Sequence, residues 1–405
     1  MNAHILTHNL GYPRIGEKRE LKKALEAFWK GEIPVEELER LGRQLREKHW
    51  LVQREAGLDL IPSNDFSYYD QMLDMTCLLG NVPPRFGWKE GPIGLELLFD
   101  VARGSGLAGV KEGHLCGAET AVHASEMTKW FDTNYHYIVP EFQPRTTFKL
   151  STAKPFDEFQ EASALGIRTK PVLIGPMTYL HLGKSVESGF DHLTLLEDLL
   201  PVYSEILAGL EGLGAEWVQL DEPVLALDLN PDWQAAFLSA YRRFRERSPN
   251  LRLLLATYFG ELRENLPLAT RLPVDALHLD LTRAGAELEK ALACLPSAMS
   301  LSLGIVDGRN VWRNNFEASL AQIDKARRIL SAERVFLAPS CSLLHSPVTL
   351  RGEKALEPEI KDWLAFAEEK LGEVTQLGRL AEGAGDSFLA FRNRVAFHSR
   401  RASER

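Results

Sequence analysis

The chain has 405 residues and a formal net charge of −9, a length beyond the usual single core that predicts one large barrel-type domain with insertions, or two domains. The acid excess argues against a general nucleic-acid binder and leaves room only for a local basic patch that attracts a small anion. Cys77, Cys116, Cys294 and Cys341 are scattered without C-x-x-C spacing, there is no signal-like start, and no apolar run approaches the ~18 residues of a membrane span, so a cytoplasmic protein with free thiols is expected.

Residues 4–14 read as a first strand, with Gly11, Tyr12, Pro13 and Arg14 forming the turn after it. Over residues 18–31, Leu21, Ala24, Leu25 and Phe28 stand at i, i+3, i+4, i+7 and predict an amphipathic helix. Pro34 sits near the start of a second helix running to about Ala56. A second strand over residues 58–66 ends in Pro62, Ser63, Asn64 and Asp65. The rhythm then breaks over about residues 67–170, an insertion. Gly104, Gly106 and Gly109 make a literal G-x-G-x-x-G, but the segment before it reads as helix and the one after as loop. The dinucleotide fingerprint needs the reverse order, so a Gly-rich loop is expected. Residues 125–142 are dense in aromatics, which suits a packed mini-core or, because Lys129 and Asn134 lie among the rings, a cleft wall.

Beyond Pro171 the pattern returns. Apolar runs at residues 172–175, 216–223, 251–257, 276–280, 300–306 and 335–338 stop on polar, Gly or Pro residues. Helical stretches at 196–213, 232–246, 284–295 and 316–331 separate them, and a long one follows at 357–380. Eight strands alternating with helices predict an α/β fold, a (β/α)8 TIM-type barrel with an insertion between the second and third strands and its site at the strands' C-terminal mouth. The last residues, 397–405, read as short, basic and uncapped.

The polar strand exits bring Asn9, Asp65, Thr178, Asp221, Glu222, Tyr258, Asp280, Arg283, Asp307, Arg309, Cys341 and His345 toward that mouth. A glycosidase-like carboxylate pair is admissible, although Asp221 and Glu222, adjacent on a strand, face opposite ways. Cys341, His278, Asp280 and His345 lack the spacing of a closed zinc motif, and neither Cys341 nor Ser340 and Ser342 has the context of a nucleophile. Residues 14–23 carry five basic residues against Glu17 and Glu20 at a helix start, which suits either a solvated face or a patch for a multiply anionic small molecule.

Several stretches together carry a resemblance. They are the run from Asn9 to Gly16 with Arg19-Glu20-Leu21-Lys22-Lys23, the run from Glu126 to Phe131 with Thr133-Asn134-Tyr135-His136-Tyr137, Gln219-Leu220-Asp221-Glu222-Pro223, Gly308-Arg309-Asn310-Val311-Trp312-Arg313, and the run from Ser340 to Pro347. In this order they closely resemble the amino-terminal half of the cobalamin-independent methionine synthases. The resemblance implies two facing barrels that move a methyl group from 5-methyltetrahydropteroyl-oligoglutamate to homocysteine, with zinc and the catalytic groups in a carboxy-terminal barrel that is absent here. It implies a barrel over residues 1–380 and a terminal helix and linker start over 381–405. The folate oligoglutamate tail is assigned to Arg19, Glu20, Leu21, Lys22 and Lys129, with Leu21 acting through backbone or packing. Asp280 and Cys341 fall where two zinc ligands would be, while Thr257 and Tyr258 are not metal residues, so no catalytic residue, metal or cofactor is expected in this half. Its partners are then the folate tail and the carboxy-terminal barrel, with no nucleic acid and no membrane. A scaffold barrel, or an independent carboxylate-based hydrolase, are the alternatives.

Overall fold

The computed structural model describes residues 4–105 and 121–403. Residues 106–109 of the Gly-rich motif, the loop expected after it and Cys116 lie outside the described residues, whereas the helix before the motif, Leu95–Arg103, is present.

Eight parallel strands form the sheet: β1 (Leu6–Thr7), β2 (Ile61–Ser63), β3 (Thr169–Ile174), β4 (Trp217–Asp221), β5 (Arg252–Ala256), β6 (Ala276–Asp280), β7 (Ser300–Val306) and β8 (Val335–Pro339). Each pairs with its sequence neighbour, and β8 pairs with β1 through Leu6↔Phe336. A parallel bridge between His8 and Leu60, with the Leu60 N–H donating to Thr7 O at 3.1 Å, joins β1 to β2 and closes the barrel. Strands β2, β3, β4, β6 and β8 are buried at every residue, as a parallel sheet wrapped in helices requires.

The lumen is filled in layers. At its N-terminal end Leu6, Leu60, Trp217, Leu254, Ala276 and Phe336 form a separate apolar cluster, and period two then places His8, Gln219 and His278 one step higher on the same inward faces. That second layer is polar. His8 Nε2 and His278 Nδ1 share the Ser302 hydroxyl at 2.7 and 2.8 Å, and His278 Nε2 meets Ser340 O at 3.2 Å. Gly304 makes room for this ring, since a Cβ there would lie 2.8 Å from His278 Cε1.

Three expectations are corrected in detail. The first strand is two residues long, because beyond His8 the backbone leaves the sheet: Tyr12 N–H donates to Asp65 Oδ2 at 2.8 Å and Gly11 N–H to Asn9 Oδ1 at 3.4 Å. The long helix expected over 357–380 is two helices, Pro358–Trp363 and Ala367–Ala381. Between them Ala365 N–H donates to Val311 O at 2.9 Å, and Phe366 N–H is capped by Glu369 at 3.1 Å. The basic tail is not uncapped: it ends the terminal helix Ser387–Ala402, which starts on Asp386, whose carboxylate accepts from Phe388 N–H. This terminal helix leaves Phe388, Leu389, Phe391 and Val395 exposed. No helix among the described residues is long and apolar enough to cross a membrane.

Burial holds His278 down to about 4, so below pH ~6.5 the unfolded chain takes up a proton that the folded chain refuses. Stability drawn from this residue is therefore complete above pH ~6.5 and lost as pH falls toward 4. In urea titrations, the wild-type unfolding free energy minus that of His278→Gln falls by about 2–3 kcal/mol between pH 7.5 and 4.

Candidate functional site

Trp217, Gln219 and Asp221 share the inward face of β4, so Asp221 rises from the lumen toward the mouth. Beside it Lys170 of β3 is fully buried. Its ammonium donates to Asn9 O at 2.7 Å and to Gln219 Oε1, while Gln219 Nε2 donates to Asp221 Oδ1 at 2.6 Å. The Tyr258 hydroxyl reaches Asp221 Oδ2 at 3.0 Å. Burial lowers Lys170 to about 7, with Asp221 and Asp65 pulling the other way, and burial raises Asp221 to about 6 against the hydrogen bonds from Gln219 and Tyr258. Asp221 thus has both oxygens engaged within the protein.

Glu222 faces the opposite way, as adjacent strand positions must. Its Oε2 accepts from Thr178 N–H and Oγ1 at 2.7 and 2.6 Å, and Oε1 from Met177 N–H at 3.2 Å and the Tyr241 hydroxyl at 3.3 Å. It caps the helix Pro176–Leu182 from the neighbouring strand exit, where unpaired N–H groups favour an anion. Gly175 is required by this approach, because a Cβ there would lie 2.1 Å from Glu222 Oε1. Burial raises Glu222 to about 7 despite four donors. Thr178 and Glu222 therefore leave the set expected at the mouth and belong to the layer between sheet and helices.

The mouth itself is spanned by the insertion. Met127–Lys129 and His136–Ile138 form an antiparallel hairpin, whose buried Trp130 and Tyr137 join the main core. Its turn reaches across the strand ends: Phe131 packs on Phe259 after β5 at 5.8 Å between centroids, and Tyr135 on His345 after β8 at 6.1 Å. Arg14, after β1, donates to the Tyr135 hydroxyl at 2.8 Å. Asp132 accepts from Arg283 after β6 and from Arg309 after β7, both at 2.8 Å. The aromatic segment is both a packed mini-core at its base and a wall over the mouth. Burial and the nearby Arg309 hold His345 down to about 4. Asp307 is occupied by Arg309 N–H at 2.8 Å and Asn310 at 2.7 Å.

The five residues assigned to a folate tail fall in two places. Arg19 has φ 58° and precedes the helix Glu20–Trp29, which has no side-chain cap. Glu20 turns its carboxylate back onto Lys18 N–H at 2.8 Å, and Leu21 is buried in a cluster with Leu25, Phe66 and Ile138. Lys22 is exposed and meets Glu26 at 3.7 Å one turn on. Lys129 is exposed on the hairpin, paired in register with His136. The side chains of Arg19 and Lys129 have no ion partner among the described residues. The two groups do not bond to one another, but the Arg14–Tyr135 contact ties the chain just before the first to the turn just after the second. Arg14 itself drops out of the surface patch, because its guanidinium is used on Tyr135 and Tyr69 O. Asp132 and Lys170 escaped the sequence reading; neither lies in a local pattern, and only long-range contacts reveal them.

The residues at the zinc-like positions do not fit that metal. Asp280 Oδ1 accepts from Thr282 N–H and Oγ1 and from Arg283 N–H, and its Oδ2 from Phe259 N–H at 3.2 Å. Burial pushes the Cys341 thiol up, with Asp280 and Asp307 adding to it, and Thr257 and Tyr258 supply no ligand of the kind zinc takes. No group of three or more His, Cys, Asp or Glu side chains suited to a metal occurs among the described residues.

These features define a closed (β/α)8 barrel whose strand-end mouth is covered by its own insertion. Residues 6–331 match the family described as cobalamin-independent synthase, N-terminal domain, and the chain belongs to that family, the amino-terminal half of the cobalamin-independent methionine synthases. It is 49% identical over 399 residues to a 5-methyltetrahydropteroyltriglutamate–homocysteine methyltransferase of Syntrophotalea carbinolica, covering 98% of this chain and 51% of the relative. The corresponding protein of Nitrosomonas europaea is 51% identical over 374 residues, covering 92% and 47%. The chain thus spans about half the length of the curated relatives it matches. Among solved structures, a B12-independent methionine synthase from a Shewanella species, in complex with selenomethionine, matches with a TM-score of 0.63 at 14% identity, over 96% of this chain and 100% of that one. A methyltransferase from Methanosarcina mazei matches with a TM-score of 0.56 at 11% identity, over 94% of each chain. At these identities the structures speak for the fold.

If Glu222 is a cap rather than an acid catalyst, Glu222→Gln destabilises the chain by about 1–3 kcal/mol in urea, because an amide turns donors toward donors. Aryl glycosides are not turned over by wild type or variant; turnover that the substitution abolishes would restore the hydrolase alternative.

Proposed function

We propose that this chain is the folate-tail-binding half of a methyltransferase that moves a methyl group from 5-methyltetrahydropteroyl-oligoglutamate to homocysteine. The observation that carries this reading is the presence of two cations without an ion partner among the described residues, Arg19 at a helix start without a side-chain cap and Lys129 on the hairpin, in a chain 49% identical to a relative bearing that name. Each added glutamate brings a carboxylate that Lys or Arg can pair, and a helix start favours anions. Arg19, Lys22 and Lys129 supply charge, Glu20 shapes the turn that presents them, and Leu21 packs the helix beneath.

In this reading the barrel over residues 1–380 is inactive alone, and the segment 381–405 leads toward a second barrel that supplies zinc, the homocysteine site and the catalytic groups. Support comes from the mouth itself, where Asp221, Asp280 and Asp307 are already occupied by protein donors. A scaffold barrel would show the same occupied mouth but no preference for longer tails.

Calorimetric titration separates the two. Triglutamyl 5-methyltetrahydrofolate binds about tenfold more tightly than the monoglutamate, the preference shrinks with added salt, and Lys22→Ala or Lys129→Ala each weakens the triglutamate about three- to tenfold. Equal or absent binding of the two ligands sinks the tail assignment.

A further inference from the structure

We propose that Asp132 is a positioning residue for the tail site, holding Lys129 in place by clamping the hairpin turn across the barrel mouth; this rests on the tail-binding reading above. The hairpin's strands are three residues each, and an isolated two-stranded hairpin is marginal in water. Its pose must come from contacts with the barrel.

Lys129 is joined to Asp132 through Trp130, which is buried, and Phe131, which sits at φ 50° against Trp130 and Phe259. The turn is tied by Trp130 N–H to Tyr135 O at 2.7 Å and by Thr133 Oγ1 to Trp130 O at 2.6 Å. Little freedom remains between the two residues, so where Asp132 is fixed, Lys129 is fixed.

Asp132 is the sole carboxylate between Glu126 and Glu141. It makes three bonds to the barrel: Oδ2 from Arg283 Nη1 at 2.8 Å, Oδ1 from Arg309 Nη1 at 2.8 Å, and its backbone O from Arg309 Nη2 at 3.1 Å. Partial burial alone would raise its carboxyl, but the bonds from Arg283 and Arg309 hold it below the ordinary range. The same carboxylate separates two guanidiniums from different loops. Without it their mutual repulsion, offset on Arg283 in part by Asp280 and Asp307, would rise beneath a hairpin that itself carries Lys129. Asp132 therefore both anchors the turn and neutralises the surface on which it rests.

The test follows wild type, Asp132→Asn, Asp132→Glu, Lys129→Ala and the Asp132→Asn/Lys129→Ala double variant by two measurements. Hydrogen exchange reports the amides of residues 127–138, and calorimetry reports mono- and triglutamyl 5-methyltetrahydrofolate. Asp132→Asn is expected to speed exchange in the turn, to weaken the triglutamate about threefold or more but no further than Lys129→Ala does, and to leave the monoglutamate within about twofold. Asp132→Glu recovers most of the loss, and the double variant binds no more weakly than Lys129→Ala, since both changes remove one interaction. Unchanged exchange overturns the clamp. Additive losses, or equal loss for both ligands, overturn the link to Lys129. A wild type without tail preference overturns the tail-binding reading and the positioning role with it, while the exchange result still reports on the clamp. A tail preference lost in Lys129→Ala but kept in Asp132→Asn leaves the reading standing and removes the inference alone.

Discussion

A lysine ammonium with no access to water sits inside the barrel, and much of the structure is arranged to satisfy it. Lys170 spans from β3 to Asn9 O after β1 and to Gln219 on β4, and Gln219 passes the interaction to Asp221 and so to Tyr258 after β5. An uncompensated charge there would be far more costly than any single apolar contact could offset. The chain of donors and acceptors therefore ties the exits of β1 and β5 to β3 and β4 across the lumen. Asn9 also helps explain why the first strand is so short, since its carbonyl turns to the lysine and its side chain to Gln53 and Gly11.

Much of this was legible in the sequence where the signal is local. Strands β3–β8 are apolar runs that stop on Gly, Pro, acidic or, for β5, hydroxyl-bearing residues, and their ends follow from that punctuation, although β3 starts at Thr169, three residues before the apolar run. The opposite facing of Asp221 and Glu222 follows from period two alone. The failures share a cause. The break at residues 364–366 exists because Ala365 N–H finds Val311 O more than fifty residues away, and no propensity records such a partner. The hairpin is similar: its strands are too short to announce themselves, and its pose depends on Arg14, Phe259, Arg283, Arg309 and His345, all distant in sequence. For the basic tail the miss was the cap alone: Asp386 lies well before residues 397–405, the stretch that reads as uncapped.

The candidate tail site divides along the same line. Leu21 was placed correctly on the apolar stripe, and the charges of Arg19 and Lys22 are plain in the sequence. What the sequence could not supply was the way Lys129 is held relative to the barrel, because that depends on an aspartate in a turn meeting two arginines from separate loops.

Glu222 has a wider consequence. Its carboxylate ends one strand and caps the helix launched by the strand beside it, and Gly175 is small so that it can. A copy of this barrel that had lost every trace of chemistry would still be under pressure to keep the glutamate of this motif, because dropping it strands a helix start and a buried tyrosine. The motif is thus a record of how two neighbouring β/α units are bolted together, and finding it in another chain speaks first to architecture and only afterwards to catalysis.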